Sequence, residues 1–318
     1  MCRIDNQRPI RVMGIINLTP DSFYEPSRYN LSIFDSGADI IDIGACSTRP
    51  GHTPVGEDEE WNRLEPVIWD ISRHHPGHTI SIDSYWSAVI RKVHKYLGPN
   101  FIVNDVSAGS VDPDLLPTVA ALHLPYIAMH GFAEASESGQ GRSRESISRR
   151  GELSANEAPA SAEKCSRAGA SGPASVQGPE SISRRGDLSA SRALDHEQGE
   201  PGASITDEVE DFFDNFSAKL SALGIDDWYL DPGFGFGKDV RQNLELLDAL
   251  PRLRRFHRPI LVGISRKRMT WQPLGITPDQ ALQETGRLHL KALRGGADIL
   301  RVHDVAQARE VISMYRKN

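Results

Sequence analysis

The chain has 318 residues, 39% of them hydrophobic and 25% charged, enough apolar side chain for one full-sized core. Its formal charge of −7 argues against a general nucleic-acid binder, which carries a basic face. No run reaches the length of a membrane span, residues 1–11 are too polar for a secretory signal, and the 3 cysteines form no C-x-x-C, so a cytoplasmic protein without disulfides or a zinc site is expected.

Taken in order, residues 10–16 read as a buried strand with Asn17 at its tip, where Pro20 bars continuation. Residues 39–44 are a second apolar strand, opening into Ser47, Thr48, Arg49, Pro50 and Gly51. Trp61, Leu64, Ile68 and Ile71 then recur at helical spacing over 57–75, with a kink or second start expected at Pro66. Strands at 79–83 and 101–105 end on Asp83 and on the Asn104–Asp105 pair, and a fifth at 124–129 ends on Met129 before His130.

A sixth strand, 228–230, delivers Asp231 to its tip before Pro232 and Gly233 stop the ladder. Three glycines alternating with Phe234 and Phe236 then let backbone approach a flat ligand. Residues 259–264 open into Ser265, Arg266 and Lys267, and the eighth strand, 298–303, carries Arg301 and His303. Between strands lie helical patterns, such as Val209, Phe212, Phe213, Phe216 and Leu220 after a capping box at Ser204 and Asp207. Another, 282–294, ends at Gly295 and Gly296.

Eight strand–helix units predict an α/β protein, a single (β/α)8 TIM-barrel domain over 1–318. In that fold the strands' C-terminal tips form one face, on which Asn17, Asp83, Asn104, Asp231, Lys267, Arg301 and His303 converge. A doubly wound sheet is the competing architecture and gathers only some of them. Residues 134–203 break the pattern, being rich in Ser, Gly, Ala, Glu and Arg, and are expected to be a disordered low-complexity insertion in the fifth loop. Within it, 145–155 recurs as 180–190 with one substitution.

Asp83, Asp231 and Asn104 offer acceptors for a planar heterocycle with adjacent N–H donors. Two carboxylates also serve glycosidases, but the neighbouring cations suit an anionic substrate better. Lys267, Arg301 and His303 can hold a phosphate or pyrophosphate, and Asn17 can help through bound Mg2+. Taken singly, Arg301 reads equally as a barrel-interior ion pair, His303 as a satisfied core histidine and Lys267 as a solvated charge. The chain has no Walker A loop, no HExxH and no G-x-S-x-G.

The ordered motifs NLTPDSF (17–23), STRPG (47–51), SID (81–83), NDVS (104–107), DPGFGFGK (231–238), SRK (265–267) and RVHD (301–304) resemble dihydropteroate synthase. The resemblance implies condensation of 6-hydroxymethyl-7,8-dihydropterin diphosphate with p-aminobenzoate, giving 7,8-dihydropteroate and pyrophosphate by an SN1-like displacement. It implies that Asp83, Asn104, Met129, Asp231 and Lys267 hold the pterin, and that Asn17, Arg301 and His303 bind the diphosphate. Asn17 would meet Mg2+, with Lys267, Arg301 and Asp231 catalytic. Thr48, Arg49 and Pro50 would lie on a mobile loop at the p-aminobenzoate site, with Phe236 and Arg268 beside it, and the family implies a homodimer. Departures are a short first loop, Ala45 and Cys46 before STRPG, and Arg268 where many members have serine. A pterin-dependent methyltransferase and a non-catalytic pterin-binding paralogue are the alternative readings.

Overall fold

The computed structural model describes residues 9–19, 31–46, 55–131 and 204–317. Thr48, Arg49, Pro50 and the 134–203 insertion lie outside them. The strands are β1 (Arg11–Asn17), β2 (Ile40–Gly44), β3 (Thr79–Asp83), β4 (Phe101–Asp105), β5 (Tyr126–Met129), β6 (Trp228–Asp231), β7 (Leu261–Val262) and β8 (Ile299–Val302). The principal helices are α1 (Glu57–His74), α2 (Ser87–Leu97), α3 (Leu115–Leu122), α4 (Ile205–Ala222), α5 (Val240–Asp248), α6 (Arg268–Trp271), α7 (Leu282–Arg294) and α8 (Val305–Lys317).

All paired strands are parallel, in the order β6-β5-β4-β3-β2-β1-β8-β7. A parallel bridge between Leu230 and Ile260 joins the two ends, so the sheet closes into the expected (β/α)8 barrel. No helix among the described residues is long and apolar enough to cross a membrane.

Two local expectations are revised. The seventh strand shrinks to two residues because the Ile260 N–H is taken by the Asp298 carboxylate at 2.8 Å and Pro259 has no N–H to give. Helix α1 continues through Pro66 as one element, with no second start. Pro66 and Asn62, whose carbonyl loses its donor, are both exposed, so water can satisfy that carbonyl while Trp61, Leu64, Ile68 and Ile71 anchor the buried face. At α4 Ser204 accepts from the Asp207 N–H at 3.2 Å, and the Ser204 backbone and hydroxyl bond back to the Asp207 carboxylate, as the capping box requires. The Asp207 carboxylate also meets Arg252 at 2.7 Å.

The core has two parts. A sheath between strands and helices contains Val12, Ile43, Ile82, Val103, Phe213 and Leu230 among its buried members. A separate cluster of Met13, Ile40, Ile102, Ile127, Tyr229, Leu261 and Ile299 takes one side chain from each of seven strands. This is the plug of the barrel, and it fixes which strand positions point inward, since side chains alternate faces with a period of two. Burying each of its Ile and Leu side chains contributes about 1.5–3 kcal/mol.

Candidate active site

Two residues beyond the plug, towards the strands' C-terminal ends, the inward positions become Ile15, Asp42, Asn104, Met129, Asp231, Gly263 and Arg301. Asp83 joins them from the end of β3. Two residues further stand Asn17, Ser265 and His303. Period-two geometry thus gathers five expected site residues, Asp83, Asn104, Met129, Asp231 and Arg301, into one layer. It places Asn17 and His303 one layer nearer the mouth.

Arg301 is the hub of that layer. Its Nε donates to Asp42 at 2.7 Å, and its Nη2 lies 2.6 Å from Asp42 and 2.9 Å from Asp83. Asn104 Nδ2 donates to both Asp42 oxygens at 3.2 Å. Arg301 is therefore an interior ion pair, and its side chain keeps 20% of its surface open at the mouth. Asp42 has no exposed surface. Asp42 stands within an apolar strand and outside every motif, although a lone carboxylate flanked by Ile41 and Ile43 is a signal, since such a group is buried only with a partner.

The loop after β6 is shaped by backbone conformation. Asp231 accepts the Gly233 N–H at 2.8 Å. At Gly233 φ is +71°, and a Cβ there would stand 1.7 Å from the His130 carbonyl oxygen, so only glycine fits. Lys238 Nζ donates to the carbonyls of His130, Gly233 and Phe236 at 3.3, 3.1 and 3.2 Å, tying this loop to the end of β5. Lys267 Nζ donates to the Phe234 carbonyl and lies 4.6 Å from the centre of the Phe236 ring.

The loop after β7 is held by Arg266, whose role motif reading did not reveal. Its guanidinium meets Asp304 at 2.8 and 3.1 Å and the carbonyls of Pro278 and Asp279 at 3.1 Å each. With φ at +53°, it turns the chain so that Lys267 and His303 come from two loops locked together. Arg268 is exposed at the start of α6.

Burial dominates the electrostatics. It pushes Asp83 up to about 7, against the pull of Arg301, and also raises Asp231 against Lys267. It brings Lys267 down to about 7, with Asp231 opposing, and His303 down to about 3, with Arg301 adding to the shift. For Arg301 burial acts downward, but Asp42 and Asp83 outweigh it and hold the charge. The mouth therefore presents buried acceptors and a permanent cation, with one acid and one base poised near neutrality. Such a set fits a planar, N–H-rich ring joined to an anionic group.

Comparison with known proteins agrees. The family model for pterin binding enzymes matches residues 13–171 and 188–303. The chain is 31% identical to the dihydropteroate synthase of Escherichia coli over 312 residues, covering 95% of this chain and 89% of that protein. It is 28% identical to the Bacillus subtilis enzyme of the same name over 314 residues, covering 95% and 86%. Among solved structures, Xanthomonas albilineans dihydropteroate synthase with 4-aminobenzoic acid has a TM-score of 0.70 and 29% identity, covering 98% of this chain and 93% of that one. The chain belongs to the dihydropteroate synthase family of transferases.

Proposed function

We propose that the barrel mouth condenses 6-hydroxymethyl-7,8-dihydropterin diphosphate with p-aminobenzoate, as the family does in folate biosynthesis. The observation that carries this reading is the single layer of Asp83, Asn104, Asp231 and Arg301, with Lys267 beside it, where ring acceptors adjoin cations for the leaving group. Asp83, Asp231 and Asn104 accept from the ring's N–H donors, Met129 packs at the ring's edge, and Lys267 donates to its carbonyl. Arg301 and His303 take the diphosphate, and Asn17 stands above them at the tip of β1.

The C–O bond at the pterin methylene breaks with its electron pair leaving on pyrophosphate. The p-aminobenzoate nitrogen then bonds to that carbon and gives up a proton. The Arg301 cation offsets the charge that grows on the leaving oxygen, and the carboxylates against the ring stabilise the cationic carbon. The weakly basic aromatic amine is already a competent nucleophile, so positioning is what the chain must supply. Phe236 and Arg268, with Thr48, Arg49 and Pro50, are assigned to the p-aminobenzoate side.

Mg2+ suits this donor set. Among the described residues no group of three or more His, Cys, Asp or Glu could hold an ion by itself. The Asn17 amide oxygen beside a diphosphate subsite is the donor pattern of an Mg2+ that arrives with its phosphates. When bound, the ion adds Lewis-acid stabilisation to the leaving group. A homodimer and a cytoplasmic setting complete the reading. Asp83→Ala tests the pocket: titration with a reduced pterin should show affinity reduced by about tenfold or more, because ring donors lose a buried acceptor. Unchanged affinity would remove Asp83 from the pterin site.

A further inference from the structure

The residue at the centre of the layer, Asp42, is one that no sequence motif singled out. Its carboxylate is wholly buried, and every contact it makes among the described residues goes to the other site residues: Arg301 through Nε and Nη2, and Asn104 through Nδ2. A buried ion pair is weak evidence for a stabilising role, since burial costs about as much as the attraction returns and apolar residues of like volume do as well or better. The plug immediately below makes that point within this barrel, because its seven members are all apolar or aromatic.

What Asp42 supplies is direction. An ionised carboxylate only accepts, so the Asn104 amide must turn its Nδ2 towards Asp42. This leaves Asn104 Oδ1, which makes no hydrogen bond among the described residues, as the arm available to a ligand donor. Arg301 is likewise gripped by two of its nitrogens on the Asp42 and Asp83 side, while Nη1 makes no bond among the described residues.

We propose that Asp42 is a positioning residue for the reaction, orienting the Asn104 amide and the Arg301 guanidinium towards substrate and dividing the charge of Arg301 with Asp83. The proposal rests on the pterin reading of this site. The division of charge has a consequence for Asp83. The charged groups around it are Arg301 from β8, Asp42 from β2, Glu60 from α1, Asp105 from β4 and Lys267 from the loop after β7, with Cys46 and Tyr85 nearby. Of these, Arg301 favours its ionised form and Asp42 disfavours it. Neutralising Asp42 removes a repulsion and releases Arg301 to Asp83 alone.

The test uses Asp42→Asn and Asp42→Glu in the full chain, with binding of 6-hydroxymethylpterin followed across pH and kcat and KM measured at neutrality. Asp42→Asn should weaken pterin binding by about tenfold, because the amide of Asn104 is no longer directed. The acid limb of its binding profile should also move to lower pH, since Asp83 ionises more readily. A merely structural carboxylate would lower the melting temperature and leave that limb in place, which would overturn the proposal. Asp42→Glu keeps the charge and displaces it by one methylene. It should retain the wild-type limb with a raised KM, and it carries the test if the asparagine variant does not fold. A glutamate variant with wild-type KM and kcat would overturn the proposal. A wild-type chain that binds no pterin would overturn the reading of the site and this proposal together. Wild-type pterin binding matched by both variants would overturn the proposal alone.

Discussion

Residue by residue, the site works through groups whose proton affinities burial has moved towards neutrality. With the pterin bound as proposed, Asp83, pushed up to about 7, must lose its proton to accept from ring donors, and Lys267, brought down to about 7, must keep its proton to donate. Pterin affinity should therefore peak near neutral pH and fall on both sides, and calorimetric titration between pH 5.5 and 8.5 checks this; a flat profile would contradict it. A second residue, His289, is buried with neither ring nitrogen hydrogen-bonded among the described residues, and burial holds it at about 4. Its folded-state affinity for protons lies below the unfolded value near 6.5, so as pH falls through that value the unfolded chain takes up a proton that the folded chain refuses. Stability is complete above about pH 6.5 and declines by about 3 kcal/mol towards pH 4 on this account. His289→Leu should narrow the gap between melting temperatures at pH 7.5 and pH 5, and an unchanged gap would show that the ring does not carry this sensitivity.

At the scale of elements, the loop after β6 is the most constrained part of the mouth. Gly233→Ala forces a left-handed residue against the His130 carbonyl and should cost about 3 kcal/mol or more. Thermal unfolding checks this, and a variant as stable as the parent would contradict the loop geometry. Lys238→Met leaves three carbonyls without their shared donor, so pterin affinity should fall several-fold while the far strands keep their hydrogen-exchange protection. Such elements were legible in part. The glycine–phenylalanine alternation announced a tight turn against a flat ligand, because glycine has few other uses beside aromatic residues at a strand tip. The lysine staple was not legible, since its partners are carbonyls, which every residue possesses. The shortened seventh strand was hidden for a similar reason: Asp298 lies 38 positions from the Ile260 N–H it takes.

For the whole molecule, the barrel was readable because eight apolar runs with polar tips admit few arrangements, and β1 to β8 fall where those runs stand. The convergence of the polar tip residues was readable for the same reason, since strand tips on one face converge whatever the loops do. Asp42 escaped because its importance lies in Arg301, which is 259 positions away and becomes a neighbour only when β2 and β8 flank β1. All eight strands and α1 to α8 are built from residues outside 134–203, so replacing that segment with a short Gly/Ser bridge should leave a folded, pterin-binding protein. Loss of cooperative unfolding in the shortened chain would contradict this. Coupling of pterin recognition to departure of pyrophosphate is the activity proposed for the mouth. Its most direct test measures pyrophosphate release by the purified chain with pterin diphosphate and Mg2+, in the presence and absence of p-aminobenzoate. Release that depends on p-aminobenzoate is the predicted result. Pterin binding without any such release would contradict the proposed activity.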